Sequence, residues 1–170
     1  MVEGKKQWRS GVIGGLVAGR IGGVVMAMFM MFMNMAKGQE VWAGMKFPAL
    51  PFLHDRVMQP GFAFGPVLLG MMSHFAVSSC WGIPFGVLFF GATKPATVAW
   101  GGLWGIVVWL GMFYVILPIV GAGQTARMMP AGMALFEHLL FGIVVGLGFL
   151  PYQRPRRAGA EAPRQVTVTH

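Results

Sequence analysis

The chain has 170 residues, of which 56% are hydrophobic and only 11% are charged. Soluble domains carry about 25% charged residues, so the composition excludes an ordinary soluble domain and favours a membrane protein. The formal net charge of +8 does not indicate nucleic-acid binding, because the basic residues form short clusters beside apolar segments, where they act as topology signals. We therefore expect the chain to lie in a lipid bilayer and to bind no nucleic acid.

Four apolar segments are long enough to cross a bilayer, since about 20 helical residues span its hydrocarbon core. They cover residues 11–36, 64–91, 96–120 and 130–150. Almost nothing remains for a soluble module. The sequence therefore predicts an all-α, four-helix transmembrane bundle that forms one domain over residues 1–152.

The first predicted span has small residues at four-residue intervals from Gly11 to Ala27, a pattern that lets membrane helices approach closely. It follows a basic segment, as a signal peptide would, but its length and its internal Arg20 favour a retained helix. We expect the Arg20 side chain to extend toward the lipid head groups. Beyond Ala27, methionines lie on nearly all sides of the helix. This distribution is more typical of side chains that fill gaps in an apolar core than of a row of metal ligands on one face.

The segments of the chain outside the four spans differ in composition. The connection over residues 37–62 is rich in aromatic residues and proline and poor in charge, so we expect a structured segment lying in the outer interface. The next two connections are short and predict antiparallel hairpins. Residues 153–170 are rich in Arg, Pro, Ala and Thr and predict a disordered basic tail.

The distribution of basic residues predicts the orientation. Cytoplasmic loops of membrane proteins collect Lys and Arg. The face that carries both termini has eight basic residues, and the opposite face has four. These are Lys5, Lys6, Arg9, Lys94, Arg154, Arg156, Arg157 and Arg164, against Lys37, Lys46, Arg56 and Arg127. We predict that both termini are cytoplasmic and that the protein lies in a bacterial inner membrane.

A weak internal echo relates the two halves of the chain. Residues 14–16 and 101–103 both read Gly-Gly-Leu, and residues 82–86 and 142–146 both begin and end with glycine. Two helical hairpins of the same orientation would fit this pattern, although glycine patterns also recur by chance in membrane helices. Duplication is therefore left open.

His74 and His138 each stand in a ladder of small residues at four-residue spacing, on one face of a helix. His74 is ten residues past Phe64 and His138 is eight past Pro130, which places both at a depth of roughly 12 to 15 Å below the outer surface. Ionisable residues within a bilayer suggest function by default. The matched depth predicts one shared site.

Three functional interpretations of this site remain open. In the first, His74 and His138 are axial ligands of haem b, with Tyr114 and Glu137 in the same pocket. Glu137 is about 100° around the helix from His138, on a different face. In the second, the histidines bind copper together with thioether sulfurs, the candidates being Met28, Met31 and Met112. In the third, His74, His138, Glu137 and Tyr114 form a polar pocket for a quinone head group or part of a proton path.

The plain alternative is that each histidine makes one interhelical hydrogen bond and that the small residues only permit close packing. We prefer this interpretation and expect no resident cofactor. No phosphate-binding glycine loop, zinc-protease histidine spacing or nucleophile elbow occurs in the sequence, so a familiar hydrolase or nucleotide enzyme is not expected.

In span count, glycine-rich helix faces and intramembrane histidines, the chain resembles small uncharacterised four-span bacterial inner-membrane proteins. The resemblance implies the layout and supplies no residue roles. The size of the chain and its glycine faces favour a non-catalytic accessory or structural subunit that packs with other membrane chains. The alternative is a small redox or cofactor-binding membrane protein that uses His74 and His138. A small transporter, formed as an oligomer, is the third expectation.

Overall fold

The computed structural model describes residues 2–127 and 129–153. Over this part the chain is helical without strands, and four long helices dominate it: α1 (Val2–Ala36), α2 (Phe64–Leu88), α3 (Lys94–Gly111) and α4 (Ala131–Phe149). The segments long and apolar enough to cross a membrane are Gln7–Ala36, Phe64–Leu88, Lys94–Ile119 and Ala131–Tyr152. The prediction of an all-α chain with four such helices is confirmed, and the bounds agree within a few residues.

The ends of the long helices follow from local backbone chemistry. Gly38 has φ of +66°, and the N–H of Gln39 donates to the carbonyl of Asn34 at 2.8 Å, which closes the end of α1. Gly91 has φ of +88° in the turn between α2 and α3. Such left-handed conformations suit glycine because it has no Cβ. The α3 segment then begins with Pro95 in its first turn, where proline costs no hydrogen bond.

The four helices lie in the order α2, α1, α4, α3 across the bundle, so the backbone of α1 packs closely on both α2 and α4. The sequence neighbours α2 and α3 touch through large aromatic side chains, and their backbones come close at few points. Glycine faces set this order. A Cβ added at Gly11 would lie 2.9 Å from the carbonyl oxygen of Gly86, and one at Gly15 would meet the carbonyl of Gly82. The two backbones are in contact along this seam, as small-residue faces allow.

A second glycine seam joins α3 to α4. A Cβ at Gly105 would meet the carbonyl of His138, and one at Gly142 would meet the carbonyl of Gly101. Each hairpin of the chain is therefore closed by its own seam. The similar segments 82–86 and 142–146 both contribute glycines to a seam. In the Gly-Gly-Leu repeat, however, the seam uses the second glycine of the first copy, Gly15, and the first glycine of the second copy, Gly101. Duplication therefore stays a hypothesis.

The connection between α1 and α2 is structured, as the sequence predicts. It contains four short helical segments: Ala43–Lys46, Phe47–Ala49, Leu50–Leu53 and His54–Met58. We call residues 43–58 the cap, and the end of the bundle that it covers the cap end. Met45, within the cap, is buried against Ala27 of α1 and Val67 of α2, so the cap is part of the packed structure.

One buried cation holds the cap in place. Lys46 is 1% exposed, and its Nζ lies 2.7 Å from Oε1 of Glu40. The same Nζ donates to the carbonyl oxygens of Gln59 at 2.6 Å and Gly61 at 3.1 Å. Three acceptors thus match the three N–H groups of the ammonium, and they tie the two ends of the cap together.

Gln153 joins three helices at the opposite end. Its Nε2 donates to the Phe89 carbonyl at 2.8 Å and lies 2.7 Å from Oγ1 of Thr97, while its Oε1 accepts from the N–H of Gly91 at 2.8 Å. The predicted tail includes this residue, yet Gln153 is buried and ordered by these bonds. The rest of the predicted tail, residues 154–170, lies outside the described residues.

Candidate functional site: a cavity among the four helices

A cavity of about 540 Å³ lies among the four helices at the cap end. It exists because α2 and α3 diverge there, whereas below it they are joined by aromatic contacts. Trp81 and Trp104 pack edge to face at 6.0 Å, and Phe89 stacks on Trp100 at 5.1 Å. These rings close the gap between α2 and α3 on the side of the termini.

The mouth of the cavity is apolar. Several residues both line the cavity and are exposed on the side of the molecule: Phe52 of the cap, Met72 and Val77 of α2, and Ile116 and Val120 beyond α3. All of them lie on or beside the segments long enough to cross a membrane, except Phe52. An opening with these walls suits an apolar molecule better than a hydrated ion.

The chain beyond α3 changes its helical pitch where it forms the cavity wall. Residues Met112–Ile116 make a π-helical turn, followed by the α-helical turn Leu117–Ile119. Proline at position 118 lacks the N–H that would continue the regular pattern. π-helical turns are frequent at functional sites, and this one places Met112 and Phe113 against the cavity.

His74 lines the cavity from α2 and is tied to α1. Its Nε2 lies 2.9 Å from the carbonyl oxygen of Gly23. Since a carbonyl only accepts, this nitrogen carries the proton, and the neutral ring keeps a lone pair on Nδ1. The interhelical hydrogen bond expected in the plain interpretation is thus present for His74, and the glycine at position 23 gives space to the side chain of Ser78 beside it.

His138 lines the cavity from α4 and is 7% exposed. Its Nδ1 lies 2.7 Å from the carbonyl oxygen of Ala134, one turn earlier in the same helix. Nδ1 is therefore the donor, and Nε2 holds the lone pair. Phe113 packs edge to face on the ring at 5.7 Å. No interhelical hydrogen bond of His138 occurs in the described part of the chain, so Nε2 remains available to a ligand.

Glu137 also lines the cavity and is 3% exposed. Across residues 2–127 and 129–153 it has neither a hydrogen-bond partner nor an ion-pair partner, although a buried carboxyl group is costly without one. The spacing argument placed Glu137 on a different face from His138. Both nevertheless line this cavity, because it is wide enough to contact α4 over more than 100° of its circumference.

The two histidines lie one to two helical turns apart in level. Gly23 of α1 adjoins His74, and the preceding Gly22 adjoins Phe141 and Val145 of α4. His74 is thus level with residues 141–145, which are about 5 to 10 Å along α4 from His138. The structure brings the pair to one cavity at similar depths.

A bis-histidine haem requires a ligating nitrogen from each ring to face the metal. His138 has the orientation common to metal ligands, with Nδ1–H on a backbone carbonyl and Nε2 free. His74 has its Nε2 committed to Gly23, so ligation through Nε2 would require the ring to turn away from α1. Within the part of the chain that is described, no three His, Cys, Asp or Glu side chains are grouped as a metal site.

The methionines proposed for copper are not brought together. Met28 is 64% exposed on the side of α1, and Met31 packs with the cluster around Met45. Met112 does line the cavity, where its sulfur accepts a hydrogen bond from Nε1 of Trp81 at 3.3 Å. Tyr114 is 66% exposed and packs on Trp109, away from the cavity lining.

Other methionines line the cavity instead. Met26 and Met30 of α1, Met72 of α2 and Met129 before α4 contribute to its wall. Depth counting places residues 26–31 at the level of the histidines, but methionine occurs all around this end of α1, so these side chains were not selected as site residues. The spacing of Met26 and Met30, one turn apart on the face of Gly22, is the signal that could have found two of them.

No protein-family model, curated protein or solved structure matches the chain. The function must therefore be argued from the cavity and the surface of the molecule.

Proposed function

We propose that the chain is an integral membrane protein that binds a lipophilic small molecule with a hydroxyl-bearing head group, of the hydroquinone class, in the cavity among its four helices. The observation that carries this proposal is that Glu137 and Nε2 of His138 line one largely apolar cavity, and neither has a hydrogen-bond partner among the described residues.

The size and lining of the cavity support a small organic ligand. Pockets for such ligands have volumes of roughly 300 to 1,000 Å³ and combine apolar walls with a few placed polar groups. Here the walls are methionine, phenylalanine and branched aliphatic side chains, with Trp81 near the base. Methionine and aromatic side chains adapt well to a flat ring.

The polar groups favour a head group that donates hydrogen bonds. Nε2 of His138 offers a lone pair, and Glu137 has at least one accepting oxygen in either protonation state. A hydroxyl would satisfy both acceptors, whereas a carbonyl could only accept from the O–H of a protonated Glu137. The lone pair on Nε2 of His138 is therefore the group that favours a hydroquinone over the corresponding quinone.

The apolar mouth supports access from the bilayer. Val77 of α2 and Ile116 of the π-helical turn flank it at the level of the hydrophobic spans. A long-tailed molecule dissolved in the lipid could place its ring in the cavity and leave its tail between α2 and α3, where the two helices diverge.

Membrane insertion in a bacterial inner membrane, with both termini in the cytoplasm, belongs to the same proposal. The count of basic residues supports this orientation, with eight on the side of the termini and four at the cap end. Fusions of alkaline phosphatase and green fluorescent protein to the C-terminus test it: a cytoplasmic end gives fluorescence without phosphatase activity.

The glycine faces no longer support a role as an accessory subunit. The glycine faces expected to dock other chains are used within the molecule, because Gly15 packs on α2 and Gly105 packs on α4. Support for a subunit role has to come from another surface.

The test is ligand binding by the purified protein in nanodiscs. Decylhydroquinone is the probe, and quenching of tryptophan fluorescence is the signal, since Trp81 lines the cavity. His138→Phe keeps an aromatic ring of similar size and removes the acceptor. One lost hydrogen bond of about 1 to 1.5 kcal/mol raises the Kd about tenfold.

Matched controls make this test decisive. Tyr114→Phe removes a hydroxyl outside the cavity and leaves the Kd unchanged, and the dimethyl ether of the probe binds much more weakly than the probe. Equal binding of probe and ether would refute the role of Glu137 and His138. A red protein whose Soret band is lost in both His74→Ala and His138→Ala, or stoichiometric copper in a metal assay, would replace the proposal with the haem or copper alternative.

A further inference from the structure

Arg20 is exposed on the side of α1 and is nearly unpaired. Its Nε donates to Oγ of Ser79 on α2 at 3.4 Å, the longest of the side-chain hydrogen bonds in the described residues. The hydroxyl of Ser79 is itself bound to the Phe75 carbonyl at 2.8 Å. The terminal amino groups of Arg20 make no hydrogen bond within the described part of the chain, and a guanidinium has five N–H donors.

The position of Arg20 along the spans is central. It lies within two residues of the middle of the segment Gln7–Ala36, and Ser79 lies three residues from the middle of Phe64–Leu88. The surface of the hydrocarbon core is about 15 Å from its midplane, which is beyond the reach of an arginine side chain. The expected extension of Arg20 to the head groups is thus hard to achieve from this depth.

The four described spans supply no carboxylate for Arg20. Among the residues of the four spans, Glu137 is the one acidic side chain, and it is buried at the cavity. Glu40, outside the spans, pairs with Lys46. A second copy of the chain packed symmetrically on this surface would bring Arg20 against its own equivalent, so self-association here is unfavourable.

A charge at the centre of a bilayer is costly and is normally paired. We propose that the face of α1 around Arg20 is a docking surface for a transmembrane helix of a different protein that carries Asp or Glu near the middle of its span. A carboxylate can bind the guanidinium through two parallel hydrogen bonds. The surface comprises Arg20 with Ile13, Leu16 and Val24 of α1.

The surface around the charge suits a helix. Leu16 and Val24 lie one turn to either side of Arg20, and Ile13 two turns below it, on the same face of α1. Ile13 and Val24 are both exposed. An apolar stripe with one central cation matches an apolar helix with one central anion. The inference rests on the membrane insertion in the proposed function and not on the ligand of the cavity.

The experiment is site-specific photo-crosslinking in membranes of the native host. A diazirine amino acid replaces Leu16 or Val24, and Leu147, exposed on α4, is the control position. We expect cross-linked protein from positions 16 and 24 and not from 147. Mass spectrometry of the linked peptide should find Asp or Glu near the middle of a transmembrane segment.

Charge variants then test the chemistry. Arg20→Gln should reduce the cross-linked yield at least tenfold, Arg20→Lys should retain most of it, and Arg20→Glu should recover the yield when the partner's carboxylate is changed to Arg. The proposal is refuted by a product that lacks a central acid, by a yield insensitive to Arg20→Gln, or by no protein product at either position. Binding of anionic lipid that depends on Arg20, seen by native mass spectrometry without a protein product, would assign the surface to lipid.

The same variants separate this inference from the proposed function. Arg20→Gln should leave the Kd for decylhydroquinone unchanged, because Arg20 does not line the cavity. Extraction of the protein from membranes by alkaline carbonate would instead refute membrane insertion, and with it both proposals. Failure of ligand binding alone refutes the proposed ligand of the cavity and does not affect the docking surface.

Discussion

Replacing Lys46 by methionine tests how strongly the cap is held. The Lys46→Met variant keeps the length of the side chain and removes three charge-assisted contacts, to Glu40, Gln59 and Gly61. Two carbonyls then lose their donor, and because Gln59 and Gly61 are exposed, water can replace the ammonium in part, so each loss costs about 1 kcal/mol. The desolvation of the lysine, which the variant no longer incurs, offsets part of this.

The net loss is expected to be about 1 to 2 kcal/mol in the free energy that opens the cap. Glu40→Gln gives the comparison. It removes the ion pair but leaves the ammonium on the two carbonyls, and the Glu40 side chain is 27% exposed, so water can replace much of its interaction. That variant should lose less than about 1 kcal/mol.

Hydrogen exchange followed by mass spectrometry measures both variants in detergent micelles. Peptides from residues 40–61 should exchange about tenfold faster in Lys46→Met, because exchange follows the free energy of local opening. Peptides from the middle of α4 serve as the internal standard. An unchanged rate in Lys46→Met, or a larger effect in Glu40→Gln, would show that the ammonium does not hold the cap.

Three further predictions follow from the packing. Gly82→Ala places a methyl group against the backbone of Gly15 and Gly19. It should cost about 1 to 3 kcal/mol and lower the thermal unfolding temperature in detergent. The control Gly102→Ala, with 3.9 Å to the nearest side chain, should leave the unfolding temperature unchanged or raise it. Gln153→Leu should lower the same temperature, because three hydrogen bonds of about 1 kcal/mol each are lost; an unchanged melt would contradict that role. Val77→Trp at the cavity mouth should slow the association of decylhydroquinone in stopped-flow fluorescence, and an unaltered rate would exclude access between α2 and α3.

Helix number and length were predictable because they depend on hydropathy summed over about 20 residues. The glycine periodicity of α1 also predicted a close approach to another helix. The identity of the partner helix was not predictable, because the face of Gly15 can pack on any helix face that is also made of small residues. The order α2, α1, α4, α3 depends on the choice among several such faces, and that choice is made by tertiary packing.

The candidate site was predictable in part for a similar reason. His74 and His138 stood out because ionisable residues are rare in spans, and depth could be counted from the ends of the helices. Glu137 was assigned to another face because helical geometry fixes angles but not the width of a cavity. Lys46 was missed as a buried residue, since lysine in a connection is normally solvated and its three acceptors come from separate positions in the chain.

The separation of α2 from α3 also bears on how the chain assembles. Each seam joins helices that are consecutive in the sequence, so the first hairpin can close before the second has been synthesised. Gly91 and Gln153 then join the halves at the end of the process, because Gln153 follows the last span. Two fragments divided between α2 and α3 and expressed together should therefore recombine through the contacts of α1 with α4, a route by which each half could be inserted as an independent unit.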